Sequence, residues 1–316
     1  MGISASPEMT AATSLPGNPF DPEAAAAYAV WRELKLARLP ASAELVVSLA
    51  DPRRLTPAEH AAMLDRLQRV NLVLYQFDPA ITDKHAIRAL GRQFGLERLD
   101  GNLCADADSI TSLQVSSDGA KGEYIPYTDR RLSWHTDGYY NSPDQQIRGI
   151  VMHCVRPAAA GGESAFLDHE LAYILIRDAN PAWIRALMAP TAMTIPANVS
   201  QGRTIRPAHS GPVFSVDPAT GALHMRYSAR TRNIVWRDDP DTRAAAAFLQ
   251  ELWSGDCPYV YHHRLVSGQG IICNNTLHNR SGFRDDPDPD RGRLLYRARY
   301  YDRVAGTALQ EVFPPA

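Results

Sequence analysis

The chain has 316 residues and a formal net charge of -2, with no basic run. That balance argues against a general binder of nucleic acid or of anionic membranes. Its composition is 45% hydrophobic, enough for a sizeable core, yet no apolar run approaches the ~18 residues that a membrane span needs.

The first 19 residues are rich in Ala, Ser, Thr, Pro and Gly and are expected to form a poorly ordered tail. Asp21-Pro22-Glu23 then predicts a helix start with Asp21 as N-cap, running to about Leu39 before Pro40. Thr56-Pro57-Ala58-Glu59 predicts a second helix, to about Val70. Asn71–Phe77 is β-rich and predicts a strand. Thr82 is expected to cap a third helix, from Lys84 to about Phe94, closed by Gly95. Residues 20–109 thus form an αβα segment without visible chemistry, expected to support a catalytic core of residues 110–316, the whole making one structural domain.

From about Ile110 short alternating stretches are separated by Gly, Pro, Asn and Asp clusters, the pattern of a jelly roll. Strands are expected at Gln146–Val155, Glu163–Leu167, Tyr259–Leu265, Gly270–Asn274 and Arg293–Tyr301. Helices are expected at Glu170–Asp178, Pro181–Leu187 and Asp241 to about Leu252. Val213–Val216 and Leu223–Tyr227 flank Asp217–Gly221 as a hairpin. The predicted class is mainly β with flanking helices, around a double-stranded β-helix core.

Cys104, Cys154, Cys257 and Cys273 are scattered without a C-x-x-C spacing and are expected to be packed thiols. Neither end shows a basic start followed by an apolar core, so a cytoplasmic protein is expected.

Leu132-Ser133-Trp134-His135-Thr136-Asp137 ends in His-x-Asp, and Asn274–Arg280 holds a second histidine, His278. Two histidines and a carboxylate occupy one face of an octahedron and leave three positions open, the ligand set of non-haem Fe(II) oxygenases. On a strand, residues two apart point to one side, so His135 and Asp137 are expected to converge there, with His278 arriving from a neighbouring strand. A lone His-x-Asp occurs by chance in many chains, so the surroundings decide. Alternation in Arg291–Arg299 places Arg293, Arg297 and Arg299 on one face. If inward, they need anionic partners, and a dicarboxylate suits the arginine fork. If outward, they would pair with Asp285, Asp286, Asp288 and Asp290.

With these residues in view, Tyr127–Asp137, Ile150–Cys154, Gly161-Gly162-Glu163-Ser164, Asp168, Leu277–Phe283 and Tyr300-Tyr301-Asp302 resemble the taurine dioxygenase superfamily. Within it the pattern is similar to gamma-butyrobetaine and trimethyllysine hydroxylases, over roughly residues 70 to 303. The resemblance implies Fe(II), 2-oxoglutarate as cosubstrate and O2, with succinate and CO2 released as a small metabolite bearing a carboxylate or amine is hydroxylated. It assigns His135, Asp137 and His278 to the iron. It assigns Ser164, Arg293 and Arg297 to 2-oxoglutarate, with Arg291 a competitor because of the Asp/Pro-rich insertion after His278. Tyr127, Tyr139 and Tyr140 stand as a partial aromatic cage for a quaternary ammonium, although Gly138 occupies a cage position. Arg226 and Arg230 lie where the family meets a substrate carboxylate. No early Cys/His cluster matches the zinc domain of the betaine enzymes. The expected partner is a small molecule, with no nucleic acid and no membrane. Oligomeric state is not legible: dimers and tetramers are common in the family, and the N-terminal helices are the candidate interface. Competing readings are a non-catalytic jelly-roll binding protein, a desaturase or cleavage variant, and a zinc hydrolase using the same ligands.

Overall fold

The computed structural model describes residues 15–101, 106–116, 122, 124–200 and 202–313. The first 14 residues of the expected tail, and Cys104, lie outside the described residues. Two sheets face each other. The larger has six strands in the order Val46–Ser48, Leu72–Gln76, Gln269–Cys273, Gly149–Arg156, Leu294–Tyr300, Thr111–Leu113. The smaller has four, in the order Tyr261–His263, Ser164–Leu167, Leu277–Arg280, Leu132–His135. From Thr111 to His135, Gly149 and Ser164, and again from Tyr261 through Tyr300, the chain passes alternately between the two sheets. That alternation makes the core a jelly roll.

Period-two patterning sorts the side chains. Leu72, Leu74, Ile150, Cys154, Ile271, Cys273 and Leu295 from the large sheet meet Phe166 and Tyr261 from the small one, in an interior cluster. The alternate residues Val73, Tyr75, Val151, Ile272, Ala298 and Tyr300 pack outward. They meet Met63 and Leu67 of α2 (Pro57–Val70) and Ile87 and Leu90 of α3 (Lys84–Arg92). The outer face of the small sheet, with Ala165, Leu167 and Leu277, is covered from the other side. There α1 (Ala25–Ala37) supplies Trp31, α4 (His169–Ala179) Tyr173, α5 (Pro181–Met188) Ile184 and α6 (Pro240–Ser254) Leu249. Each fully buried aliphatic or aromatic residue in these layers contributes about 1.5–3 kcal/mol.

Several expectations are corrected. Helix α1 starts at Ala25, because Asp21 closes a separate turn, accepting from the Glu23 N–H at 2.9 Å. Asp83, not Thr82, caps α3 by accepting from Ala86 N–H. Helix α6 starts at Pro240, one residue before the expected Asp241, with Asp239 as its N-cap. The segment before residue 110 also does more than support the core. Its strand Leu72–Gln76 pairs directly with Gln269–Cys273 inside the large sheet.

Candidate metal centre

His135 is the last residue of its strand and lies opposite His278 in the ladder. Asp137 falls just beyond the strand, in a turn. Strand alternation therefore does not aim it, as had been expected from the His-x-Asp spacing. The aim comes from Asn275. Its Oδ1 accepts from Asp137 N–H at 2.8 Å, and its Nδ2 donates to Asp137 O at 2.9 Å and to Ile147 O at 2.6 Å. Asn275 itself has φ +51°, a left-handed conformation that asparagine tolerates better than most residues. Gly138, with φ +67°, lets the turn close against Ile147.

The two imidazoles are fixed alike. His135 Nδ1 lies 2.8 Å from Ser133 O, and His278 Nδ1 lies 2.9 Å from Thr276 O. A carbonyl only accepts, so Nδ1 carries the proton and Nε2 keeps its lone pair. The rings stand 4.3 Å apart between centroids, and His135 Nε2 is 3.5 Å from Asp137 Oδ1. Ligand atoms of His135, Asp137 and His278 all lie within 4.8 Å of one another. All three residues are buried. This is the one group of three or more His, Cys, Asp or Glu side chains among the described residues that could hold a metal ion.

Charge completes the centre. Burial works against an ionised Asp137, but Arg297, then His135 and Arg299, hold its carboxyl well below the usual range. Arg297 Nη1 is 3.2 Å from Asp137 Oδ2, yet that oxygen accepts no hydrogen bond. Burial, followed by the nearby His135, pushes His278 down to about 4. At neutral pH His278 therefore offers a free nitrogen lone pair, and Asp137 an anionic oxygen with one lone pair uncommitted. That is what a divalent metal requires of its ligands.

The arginine face points inward, the first of the two alternatives that alternation left open. Arg293, Arg297 and Arg299 are all buried. Arg299 pairs with Asp100 and donates to Tyr140 Oη at 3.0 Å. Arg293 forms no salt bridge among the described residues. It shares a pocket with Ser164, Cys154, Gly161, Gly162 and Leu265, with its guanidinium carbon 5.0 Å from the Phe283 ring centroid. Arg291 turns to solvent, its Nε 3.7 Å from Asp286. The geometry thus unites Ser164 with Arg293 and leaves Arg297 beside the Asp137 carboxylate.

The other candidate residues separate. Tyr127 is buried in the interior cluster with Phe166 and Leu295. Tyr139 and Tyr140 instead form an edge-to-face pair at 5.2 Å and pack against the helix-covered core. Arg226 spends its guanidinium on the carbonyls of Tyr139, Met193, Pro212 and His209. Its hydrogen bonds thus go to the backbone, where direct contact with an acid group had been expected. Arg230 is half-buried at the start of the turn Thr231–Asn233. Sequence reasoning missed Asn275, whose only signal was an Asn-Asn pair ahead of His278, and the Asp100–Arg299–Tyr140 chain. Among the described residues no helix is long and apolar enough to cross a membrane.

Comparison with known proteins gives the family. Two relatives are uridine-5'-phosphate dioxygenases. One, from Amycolatopsis sp, is 30% identical over 177 residues, 53% of this chain, and the match spans only 60% of that protein. The other, from Streptomyces sp, is 27% identical over 251 residues, covering 69% of this chain and 81% of the relative. Among solved structures, an asparagine oxygenase in complex with Fe(II), 3-hydroxyasparagine and succinate aligns with a TM-score of 0.56 at 16% identity. That alignment covers 92% of this chain and 87% of the other. AAD-2, in complex with Mn(II) and N-oxalylglycine, aligns with a TM-score of 0.56 at 13% identity, over 83% of this chain and 97% of the other. At such identities these two share the fold. The family model for the taurine catabolism dioxygenase TauD, TfdA family matches residues 33–299, and the chain therefore belongs to that family.

Proposed function

We propose that His135, Asp137 and His278 hold Fe(II), and that Ser164 and Arg293 receive the far carboxylate of 2-oxoglutarate. Family membership makes the chain a 2-oxoglutarate-dependent oxygenase. One observation carries the residue assignment: both Nδ1 atoms are tied to carbonyls two residues back, so both Nε2 atoms are free toward the Asp137 carboxylate. Arg297 keeps that carboxylate ionised and oriented. Asn275 holds its backbone. The apolar pocket wall of Cys154 and Leu265 keeps water from the Arg293 charge, which strengthens its pairing with an anion. With Fe(II) and 2-oxoglutarate bound, the centre supplies activation of O2, with succinate and CO2 released and a substrate C–H oxidised.

The substrate we infer is a small anionic metabolite. The names of the two relatives make uridine 5'-phosphate the first compound to try. Hydroxylation is the outcome that we assign. A quaternary-ammonium substrate, as in the betaine hydroxylases, is favoured only by the Tyr139–Tyr140 pair.

Anaerobic reconstitution with Fe(II) and 2-oxoglutarate tests this reading. A visible metal-to-ligand charge-transfer band is expected, absent in His135→Ala. Folded wild-type protein without a band would move the weight to a binding protein. Hydrolysis needing zinc but neither O2 nor 2-oxoglutarate would move it to a hydrolase.

A further inference from the structure

The Tyr139–Tyr140 pair borders a group of cations that the metal centre does not use. Residues Met193–Ile195 and His209–Gly211 form an antiparallel pair. The chain between them carries a second small hairpin, Asn198–Ser200 with Arg203–Arg206. At its base, Arg206 lies with its guanidinium carbon 6.0 Å from the Tyr140 ring centroid. Arg206 donates to Pro207 O at 3.1 Å and to Pro196 O at 2.9 Å. Those bonds occupy two of the five N–H groups an arginine carries and leave the rest available on a half-buried side chain.

Arg226 lies beneath. It is 5% exposed, and every hydrogen-bond partner it has among the described residues is a neutral carbonyl. His209 joins them. A side chain at Gly211 would come within 3.2 Å of Arg226 Nη1 and 3.7 Å of His209 Nε2. Among the described residues neither arginine has a carboxylate partner, and the acid that acts on His209 is the exposed Asp144.

Two adjacent guanidiniums, one of them buried, repel each other and are costly unless an anion compensates them. The position matters as well. Tyr139 and Tyr140 follow Asp137 by two and three residues, and Tyr140 Oη accepts from Arg299, a residue whose charge also acts on Asp137. The cations therefore border the turn that carries the metal carboxylate.

We propose that Arg206, His209 and Arg226 form an anion subsite beside Tyr139–Tyr140 that receives a phosphomonoester of the substrate. This rests on the oxygenase reading above and supplies its substrate class. Arg206 and His209 meet the phosphate directly. Arg226 holds the hairpin base through the carbonyls of Met193, His209 and Pro212, ties it to Tyr139 O, and adds a fixed positive charge behind them. A dianion suits two permanent cations better than a carboxylate does.

The test uses the whole chain without metal. Thermal midpoints are measured in inorganic phosphate, acetate and chloride at equal ionic strength, and calorimetry compares uridine 5'-phosphate with uridine. Arg206→Gln is the variant, because its side chain is half-exposed and its removal leaves the Arg226 anchor in place. Phosphate is expected to raise the midpoint more than acetate or chloride. The phosphorylated nucleoside should bind about tenfold or more tightly than uridine, the scale of a charge-assisted hydrogen bond. Arg206→Gln should remove most of both preferences with an unchanged circular dichroism spectrum. Equal midpoints in phosphate and chloride, a preference for acetate, or a phosphate preference that survives Arg206→Gln would each overturn the subsite. The charge-transfer band is scored separately. A band without a phosphate preference sinks the subsite and spares the oxygenase, and a phosphate preference without a band does the reverse.

Discussion

Asn275 grips the backbone of Asp137 on both sides of its Cα, accepting from the N–H at 2.8 Å and donating to the C=O at 2.9 Å. The two residues are 138 positions apart. The clamp sets where the Asp137 carboxylate points, because Asp137 sits outside the strand that ends at His135. Removing it leaves an N–H and two carbonyls buried without partners, a cost of about 1–3 kcal/mol for each such group. Asn275→Ala is therefore expected to weaken Co(II) or Fe(II) binding by about tenfold or more and to lower the thermal midpoint. Asn275→Gly relieves the positive φ but restores no clamp, so its metal affinity should stay low even where its stability recovers. Metal titration of both variants checks this. Wild-type affinity in either would remove Asn275 from the positioning role.

The arginine assignment makes a prediction that separates three neighbours in sequence. Arg293 is buried beside Ser164, Arg297 faces Asp137, and Arg291 is exposed. Arg293→Leu should raise the KM for 2-oxoglutarate by about a hundredfold, the loss of a charge-assisted pair, while Fe(II) titration remains close to wild type. Arg297→Leu should instead weaken metal binding. Arg291→Ala should change neither. Equal effects of the Arg291 and Arg293 variants on KM would show that the pocket has been assigned wrongly.

Much of this was legible in advance, for reasons that can be named. Thr56-Pro57-Ala58-Glu59 carries its own N-terminal chemistry, and Thr56 does accept from Glu59 N–H. Alternation put the arginines on one face, since Arg297 and Arg299 lie on one strand, Leu294–Tyr300, but which way that face turned was set only by the packing of the two sheets. His135 and His278 were legible as a pair because metal chemistry restricts residue type more than position. Asn275, Arg206 and His209 were not. Their meaning comes from contacts made after folding, and nothing local marks Arg206 as lying over Tyr140. The start of α1 was misplaced because Asp21 makes a cap-like bond one turn too early.

His153 gives a stability prediction in pH. It is 1% exposed on the outer face of the large sheet, stacked on Phe77 at 4.5 Å and on Tyr75 at 5.9 Å. Burial pushes its pKa from 6.5 to about 4. The folded state thus prefers the neutral ring. Its contribution is complete above pH 6.5 and is lost as pH falls from there toward 4, amounting to about 3 kcal/mol at most. His153→Phe keeps the stack and removes the proton. Denaturant melts at pH 7 and pH 4.5 should show a smaller acid loss in the variant than in wild type. An identical loss would mean that other groups carry the acid sensitivity.

The last prediction concerns the ion cluster that ties α1 to α4. Lys35 is 2% exposed, and its Nζ lies 2.6 Å from both Asp168 Oδ2 and Glu170 Oε2. Burial opposes the charge on Lys35, but the Asp168 and Glu170 carboxylates outweigh it and raise its pKa. Asp168 also accepts from Asn71 Nδ2 at 3.0 Å, which links α1 and α4 to the end of α2. Lys35→Met leaves a buried carboxylate uncompensated, a loss of about 3–5 kcal/mol. In a domain of this size that lowers the thermal midpoint by roughly 6–15 °C. Adding Asp168→Asn to Lys35→Met should recover part of the loss, because one of the two stranded carboxylates is gone. The double-mutant cycle decides the point. If the two substitutions simply add, the cluster is not a coupled pair, and the joint between α1 and α4 rests instead on the Trp31–Phe20–Tyr173 packing and on the bonds of Tyr28 and Arg32 to Asp178.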